Sequence, residues 1–299
     1  MPAHRKTMLV GIGPRRRIRP TLSLLGPWLL FWVILAAAGV PPCARAGESP
    51  SAPLVFAGSG TNLAITRLLA EAFVRKRRDV AIEVPASIGS TGGIRAAADG
   101  GVALGLISRP LKEDEKGFGL RVMPFARSPI VFGVHPTVAD DEITLGDLVS
   151  MYRGAKTRWR DGREIVVLTR QPTDSGIEVL EREVSGFRDA YAESQRAKRW
   201  ITLYTDQEMN QQLVKTPFAI GLLDLGIIRA ERLAVKVLRV NGVAPTEQNI
   251  LNGRYLLVKI LAFVFREGAL PAGAKAFLDF VRSRPGQQIL RANSYLPAE

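Results

Sequence analysis

The chain has 299 residues, of which 46% are hydrophobic, so it is long enough for one large or two medium domains. Its formal net charge of +13 is typical of nucleic-acid-binding proteins. Residues 1–46, however, contain seven basic residues and no acid, so a net charge of +6 remains without them. The basic composition therefore does not predict a nucleic-acid partner.

Residues 1–46 have the layout of a secretory signal peptide. Six basic residues precede Thr21, an uncharged apolar run extends from Thr21 to Val40, and an alanine–arginine–alanine pattern follows at 44–46. A basic flank, an apolar run and a small-residue exit are typical of a cleaved export signal. We predict cleavage after residue 46 and a periplasmic protein. The apolar run is also nearly long enough to span a bilayer, so an uncleaved membrane anchor is the alternative.

Side chains for redox or metal chemistry are scarce. Cys43 is the only cysteine and lies in the segment predicted to be removed, and His135 is the only histidine after that segment. The sequence therefore predicts no disulfide, no metal and no cofactor. A Ser-His-Asp triad would need His135, and neither a nucleophile elbow nor a Walker A motif occurs. We therefore expect a protein that is not an enzyme.

After a short linker at 47–53, strand-like and helix-like segments alternate. Strands are predicted at 54–57, 80–85, 102–107, 126–134, 165–168, 218–223, 235–240 and 256–265, and helices at 61–76, 92–99, from 144, 176–184, 190–199, 206–214, 271–282 and 285–292. This alternation predicts an α/β fold with mostly parallel sheets flanked by helices. We expect two lobes, one formed by 53–128 with 241–299 and the other by 129–240.

Three short turns rich in small hydroxyl residues precede predicted helices. They are Gly58–Thr61, Gly89–Gly93 and Thr173–Gly176. A helix N-terminus offers unpaired N–H groups and partial positive charge, while serine and threonine add hydroxyl donors. One such turn alone indicates only a helix cap. Three of them, with Arg109 and Arg170 beside two, predict a metal-free oxyanion site at the carboxyl ends of the strands.

The turns resemble the anion loops of the periplasmic phosphate-binding proteins of ABC importers, which belong to the type II substrate-binding superfamily. The similarity covers roughly residues 53–297, and its motifs occur in the family's order. They are Phe56–Thr61, Ala86–Ile94, Ile107–Leu111, Thr169–Gly176, Pro245–Ile250 with Gly253–Tyr255, and Phe280–Leu290. The resemblance implies a two-lobed clamp that closes on its ligand.

The resemblance also implies ligand-binding residues and partners. The expected binding residues are Ser59, Gly60 and Thr61 at the first helix start, Ser90 and Thr91 at the second, Arg109 after the third strand, and Arg170, Asp174, Ser175 and Gly176 in the other lobe. The expected ligand is inorganic phosphate or a similar tetrahedral oxyanion, and the expected partner is an ABC permease in the inner membrane. We expect a monomer.

Several positions depart from the family pattern. Phosphate binders of this family often carry an aspartate after the serine of the third strand, where it accepts a ligand proton and rejects sulfate, but this chain has Arg109 there. Asp174 is either a replacement acceptor or only the cap of the following helix. Ile177 stands where a threonine donor is common, and 255–259 lacks the usual proline and arginine. The identity of the oxyanion therefore stays open.

Two other functions use the same features. A periplasmic anion sensor or scaffold would use the clamp without transport, and an uncleaved N-terminus would suit it. A periplasmic phosphate-ester hydrolase would use the oxyanion cage to stabilise a transition state. The hydrolase is the less favoured of the two, because the sequence has no metal-ligand set and no activated nucleophile.

Overall fold

The computed structural model describes residues 52–298, so the predicted signal segment and Cys43 lie outside the described residues. The β-strands are β1 Leu54–Gly58, β2 Ile82–Glu83, β3 Leu104–Ile107, β4 Arg121–Val134, β5 Glu142–Ile143, β6 Val166–Arg170, β7 Ile201–Leu203, β8 Ala219–Asp224, β9 Lys236–Val237, β10 Arg239–Val240, β11 Val258–Phe265 and β12 Leu296–Pro297. The α-helices are α1 Gly60–Lys76, α2 Gly89–Ala98, α3 Glu113–Lys116, α4 Leu145–Tyr152, α5 Ser175–Glu183, α6 Phe187–Arg196, α7 Asp206–Lys215, α8 Leu225–Ala230, α9 Glu247–Leu251, α10 Ala272–Arg282 and α11 Arg284–Ala292. Within this range, no helix is long and apolar enough to cross a membrane.

Ten strands form one sheet, in which eight follow the order β2-β1-β3-β11-β4-β8-β6-β7 and the short β9 and β12 also pair with β4. The pairs β1–β2, β1–β3, β6–β7 and β6–β8 are parallel, whereas β11 runs antiparallel to β3 and β4. Strand β4 connects the two halves, because it pairs with β11 as far as Pro129 and with β8 from Ile130 onward. The predicted α/β class is confirmed.

Each half of the sheet has its own hydrophobic core. Phe56, Leu69, Phe263 and Phe277 belong to the core beside β1, β3 and β11. The core beside β6 and β8 contains side chains from α4, α5 and α6, and also three residues of the segment that returns to β11. The three are Ile250, Tyr255 and Leu257. The chain therefore rejoins the first half of the sheet at β11, and the predicted lobe boundaries stay a prediction.

The N-terminus of α4 is formed by a capping box, as the sequence predicts. The hydroxyl of Thr144 accepts a hydrogen bond from the Asp147 N–H at 2.9 Å, and the Asp147 carboxylate accepts one from the Thr144 N–H at 3.4 Å. This reciprocal pair satisfies two N–H groups that an uncapped helix would leave free. Short-range signals of this kind were therefore sufficient to locate this helix.

Other bounds differ from the prediction for physical reasons. Helix α2 begins at Gly89 rather than Gly92. The segment Gly89–Gly93, which was predicted to precede the helix, is therefore itself helical. Strand β4 begins at Arg121 although Pro124 interrupts it. The proline is accommodated because the register with β11 shifts between Leu261 and Ala262, opposite that position.

Candidate anion-binding site

The three turns meet at one cavity of about 290 Å³. It lies where β1, β3 and β6 end and where α1, α2, α5 and α7 begin. Of the predicted site residues, its wall contains Ser59, Gly60, Thr61, Ser90, Arg170, Asp174 and Ser175, and does not contain Thr91, Arg109 or Gly176. The carboxyl edge of an α/β sheet is the usual place for a ligand in such folds.

Four serine hydroxyls form a connected group in the cavity. The Oγ of Ser108 lies 2.8 Å from the Oγ of Ser59, 2.9 Å from that of Ser175 and 3.4 Å from that of Ser90. Each hydroxyl can donate or accept, so the group can turn its protons toward a bound anion. Ser108 was missed among the predicted site residues, although it stands in the segment after β3 that carries the family resemblance.

Helices α1 and α2 begin at the cavity without hydrogen bonds to the side chains of their N-cap residues, although the Gly89 N–H of α2 donates to the hydroxyl of Ser87 at 3.3 Å. Ser59 and Ile88 are their N-cap residues, and neither side chain accepts a hydrogen bond from the helix. Gly60 and Thr61 hold the first positions of α1, where backbone N–H groups have no acceptor within the helix. Together with the helix dipole, these N–H groups favour a bound anion.

Helix α5 is capped by its own aspartate. The Oδ1 of Asp174 accepts hydrogen bonds from the N–H groups of Gly176, at 2.9 Å, and Ile177, at 3.3 Å. The other oxygen of Asp174 accepts from Nε and Nη2 of Arg170, at 3.1 and 2.8 Å. Of the two interpretations that the sequence left open for Asp174, the helix cap is the one observed. The N–H of Gly176 therefore already has a hydrogen-bond acceptor within the protein, the carboxylate of Asp174.

Arg170 brings a buried positive charge to the cavity. The residue is only 4% exposed, and its Nη1 has no hydrogen-bond partner among the described residues. A buried charged donor without a partner is costly, so this N–H group favours an anionic ligand. Burial opposes ionisation of Asp174, but the charges of Lys259 and Arg170 outweigh it and lower the pKa of that carboxyl.

Arg109 and Thr91 lie outside the cavity wall. The guanidinium of Arg109 donates to both carboxylate oxygens of Glu115, at 2.6 and 2.7 Å, and to the hydroxyl of Thr91 at 2.9 Å. The hydrogen bonds from Arg109 lower the pKa of Glu115 despite its burial. The positive charge of Arg109, an expected ligand contact, is therefore neutralised locally, and its hydrogen bond to Thr91 connects the segment after β3 to α2.

A third buried ion pair lies behind Thr61 of the cavity wall. The Nζ of Lys259 lies 3.0 Å from Oδ2 of Asp224 and donates to the hydroxyl of Thr61 at 3.2 Å. Lys259 is 4% exposed and Asp224 is 1% exposed. Burial raises the pKa of Asp224, whereas the pKa of Lys259 is raised because the surrounding carboxylates outweigh its burial.

The register of β4 explains why these distant residues meet. Lys259 pairs with Ser128 and Asp224 pairs with Ile130, and these two positions of β4 are two residues apart. Alternate residues of a strand share one face, and directly opposed residues point to the same side. The polar side chains of β11 and β8 therefore converge behind the cavity. In the sequence, Lys259 is only part of a segment that departs from the family pattern, and its pairing with Asp224 is not predicted.

Asp206 is a further carboxylate of the cavity wall and was not among the predicted site residues. It holds the first position of α7, and its Oδ2 lies 3.6 Å from Nη2 of Arg170. A Cβ atom placed on Gly60 would overlap that same oxygen. The absence of a side chain at Gly60 therefore leaves room for the Asp206 carboxylate where α1 and α7 approach each other.

We expect Gly60→Ala to weaken ligand binding by about tenfold or more, because the added methyl group would displace the Asp206 carboxylate and separate the two helix starts. Calorimetric titration with the predicted oxyanion, inorganic phosphate, measures the effect. Gly146→Ala is the matched control, since the nearest atom to its new methyl group lies 3.8 Å away. Equal affinities of the two variants would contradict the steric role of Gly60.

Comparisons with known proteins agree with this architecture. Residues 44–285 match the model of the PBP superfamily domain. The chain is 24% identical to the phosphate-binding protein PstS of Bacillus subtilis over 263 residues, which are 85% of this chain and 83% of that protein. It is 22% identical to PstS of Borreliella burgdorferi over 214 residues, which are 70% and 77% of the two chains.

Solved structures show the same fold. One from Clostridium perfringens, described as a phosphate ABC transporter substrate-binding protein with bound phosphate, aligns with a TM-score of 0.72 and 25% identity over 83% of this chain and all of that one. An ABC-type phosphate transport receptor from Vibrio cholerae aligns with a TM-score of 0.59 and 21% identity over 81% and 99%. The predicted resemblance is confirmed, and the chain belongs to the PBP superfamily.

Proposed function

We propose that the protein is a solute-binding protein that captures inorganic phosphate, or a similar tetrahedral oxyanion, for an ABC importer. The observation that carries this proposal is the convergence of four serine hydroxyls, the N-termini of α1 and α2 and the unpartnered Nη1 of Arg170 at one cavity. These groups are all donors, which is the chemistry that an oxyanion needs. The phosphate-binding relatives in Bacillus and Clostridium support the same ligand.

Binding would involve both halves of the sheet. Ser59, Ser90 and Ser108 come from the side of β1 and β3, whereas Arg170 and Ser175 come from the side of β6. An anion between them would be held by donors from both sides, so it would stabilise the closed arrangement of the two lobes. We propose that the lobes are formed by 53–128 with 241–299 and by 129–240, and the passage of β4 from pairing with β11 to pairing with β8 after Pro129 supports the first of these boundaries.

The cellular setting belongs to the same proposal. We propose that the chain is exported through a cleaved signal, resides in the periplasm as a monomer and docks to an inner-membrane permease. Binding and release suffice for that role, so we propose no catalytic reaction. Retention of the full-length chain in the membrane fraction would instead favour the anchored sensor.

Isothermal titration calorimetry of the full-length protein with phosphate, sulfate, molybdate and phosphite tests the proposal. We expect dissociation constants below 1 mM for phosphate or another tetrahedral oxyanion, and much weaker binding of planar nitrate. Binding of none of the tetrahedral anions would overturn the proposal. Release of p-nitrophenol from p-nitrophenyl phosphate would favour the hydrolase instead.

A further inference from the structure

The anion-binding cavity is larger than the tetrahedral ion proposed for it. Its volume is about 290 Å³, close to the lower end of the roughly 300–1,000 Å³ of cavities that hold organic ligands. A phosphate ion has four oxygens, and each takes up no more than the ~30 Å³ of a water molecule, so the ion fills at most about 120 Å³. More than half of the cavity is therefore left for another group.

The wall of the cavity has a buried polar part and an exposed apolar part. Ser59, Ser108 and Arg170, which present hydrogen-bond donors, are each at most 4% exposed. Ile88 and Tyr204 line the same cavity, but they are 51% and 62% exposed. The apolar pair therefore lies on the solvent side of the donors, at the mouth of the cavity.

The two apolar side chains come from different halves of the sheet. Ile88 precedes α2, which packs beside β1 and β3, whereas Tyr204 follows β7 and precedes α7. A single exposed apolar side chain is normal on a protein surface. Two of them that line one cavity from both halves of the sheet, beside a few converging polar groups, are typical of a site for an organic ligand.

Both side chains are attached to backbone that is held in place. The Ile88 N–H donates to the carbonyl of Gly58 at 3.0 Å. The Tyr204 N–H donates to the carboxylate of Glu208 at 2.7 Å, and the Tyr204 carbonyl accepts from Nε2 of Gln171 at 3.4 Å. A ligand at the mouth would therefore meet a surface that needs little further ordering, which lowers the entropic cost of binding.

The charge of the wall favours an uncharged group at the mouth. Arg170 is the only lysine or arginine among the described residues of the wall, so a second phosphoryl group would find no second cation. Asp206 adds a carboxylate to the wall, and it would repel a further negative charge. The cavity therefore fits one phosphoryl group that carries one apolar substituent.

We propose that the site also binds organic phosphoryl compounds, with the phosphoryl oxygens among the serine hydroxyls and Arg170 and an uncharged apolar substituent between Ile88 and Tyr204. This inference rests on the proposed function, because the same donors hold both kinds of ligand. A phosphate monoester and a phosphonate share the required chemistry. They differ in the atom that joins the substituent to phosphorus, which is oxygen in the ester and carbon in the phosphonate.

Calorimetric titration of the full-length protein with phosphate, propyl phosphate, propylphosphonate and pyrophosphate tests the inference. We expect at least one propyl compound to bind within about 10-fold of the affinity for phosphate, because burial of the propyl group offsets the contacts of the substituted oxygen. The tighter of the two identifies the linkage that the site prefers. Pyrophosphate should bind more weakly than that compound, because the mouth has no cation for its second phosphoryl group.

Ile88→Ala and Tyr204→Ala identify the surface that recognises the substituent. Each should lower the affinity for the propyl compound by about 3- to 10-fold and that for phosphate by less than about twofold, because the buried donors stay in place. Both side chains are more than half exposed, so their removal should cost little stability. Ile201→Ala, a similarly exposed change on β7 outside the cavity wall, is the matched control and should leave every affinity unchanged.

Three outcomes would overturn the inference and leave the proposed function standing. The first is binding of phosphate, or of another tetrahedral anion, by a protein that binds neither propyl compound. The second is pyrophosphate that binds more tightly than both propyl compounds, because the mouth would then accept charge. The third is a loss of affinity in Ile88→Ala and Tyr204→Ala that is equal for phosphate and the propyl compounds. A protein that binds none of the tetrahedral anions would instead count against the proposed function itself.

Discussion

Arg170→Ala is expected to abolish detectable binding of the oxyanion. The guanidinium supplies a buried, permanently charged donor to the cavity, and its Nη1 has no partner among the described residues. Hydrogen bonds to charged groups contribute about 1.5–3 kcal/mol each. Nη1 carries two N–H groups, so the loss of both of their hydrogen bonds to the ligand would weaken binding by at least about 100-fold. The variant also leaves Asp174 as an unpaired negative charge in the wall, which repels an anion further. Calorimetric titration with phosphate measures the loss.

Arg109→Ala is the matched control for this prediction. Arg109 is also a buried arginine in a close pair with a carboxylate, but the pair lies outside the cavity wall. Each alanine variant breaks a buried ion pair, so both should be destabilised by about 3–5 kcal/mol. Only Arg170→Ala should lose binding when both are titrated below their melting temperatures. Equal losses of affinity in the two variants would show that the effect arises from the fold and not from the ligand contact.

Arg170→Lys separates charge from geometry. Lysine keeps the positive charge but lacks the planar fork that donates to Asp174 and to a ligand at the same time. We therefore expect binding that is weaker than in the wild type and stronger than in Arg170→Ala. This order distinguishes a directional hydrogen bond from a general electrostatic attraction.

The sequence predicted those parts of the site that depend on short-range signals. A glycine–serine turn before a helix indicates an N-terminus that can hold an anion, and the first two turns have this pattern. Arg170 was found because it precedes the third turn by a few residues. The structure brings Ser59, Ser90 and Ser175 within reach of one central hydroxyl. Local chemistry was therefore enough to identify most of the donors.

The parts that the sequence did not predict depend on contacts between distant segments. Lys259 stands in an apolar run that predicts only a buried strand, and its partner Asp224 is set by the pairing of β4 with two other strands. Asp206 was overlooked for a different reason. An acid in the first turn of a helix is explained by the helix dipole alone, so the local pattern gives no sign of a cavity.

Arg109 illustrates how an isolated residue type can mislead. An arginine next to the serine of β3 favours an extra cation at the anion site, and the sequence offered no reason to prefer another partner. In the structure, the chain turns into α3 and presents Glu115 to the guanidinium, with the Lys112 N–H donating to the same carboxylate at 2.8 Å. A carboxylate six residues away was visible in the sequence, but the turn that returns it to Arg109 was not.

Lys259→Met is expected to lower the free energy of unfolding by about 3–5 kcal/mol. The ammonium group is buried against Asp224, and removing it leaves that carboxylate in an apolar setting without its cation. Ser128 is completely buried beside the pair, and its hydroxyl can still donate a hydrogen bond to the Asp224 carboxylate. Urea denaturation followed by circular dichroism measures the change. Lys275→Met, an exposed change on α10, should alter stability by less than about 0.5 kcal/mol.

The double variant Lys259→Met with Asp224→Leu tests whether the unpaired charge is the cause. Replacing both members of a buried ion pair with apolar groups is often close to neutral, so we expect the double variant to be more stable than Lys259→Met. A double variant that is less stable than both single variants would contradict this account. Since the pair joins β11 to β8 across β4, it also connects the two halves of the sheet directly behind the cavity. We therefore expect the double variant to recover most of the stability that Lys259→Met loses.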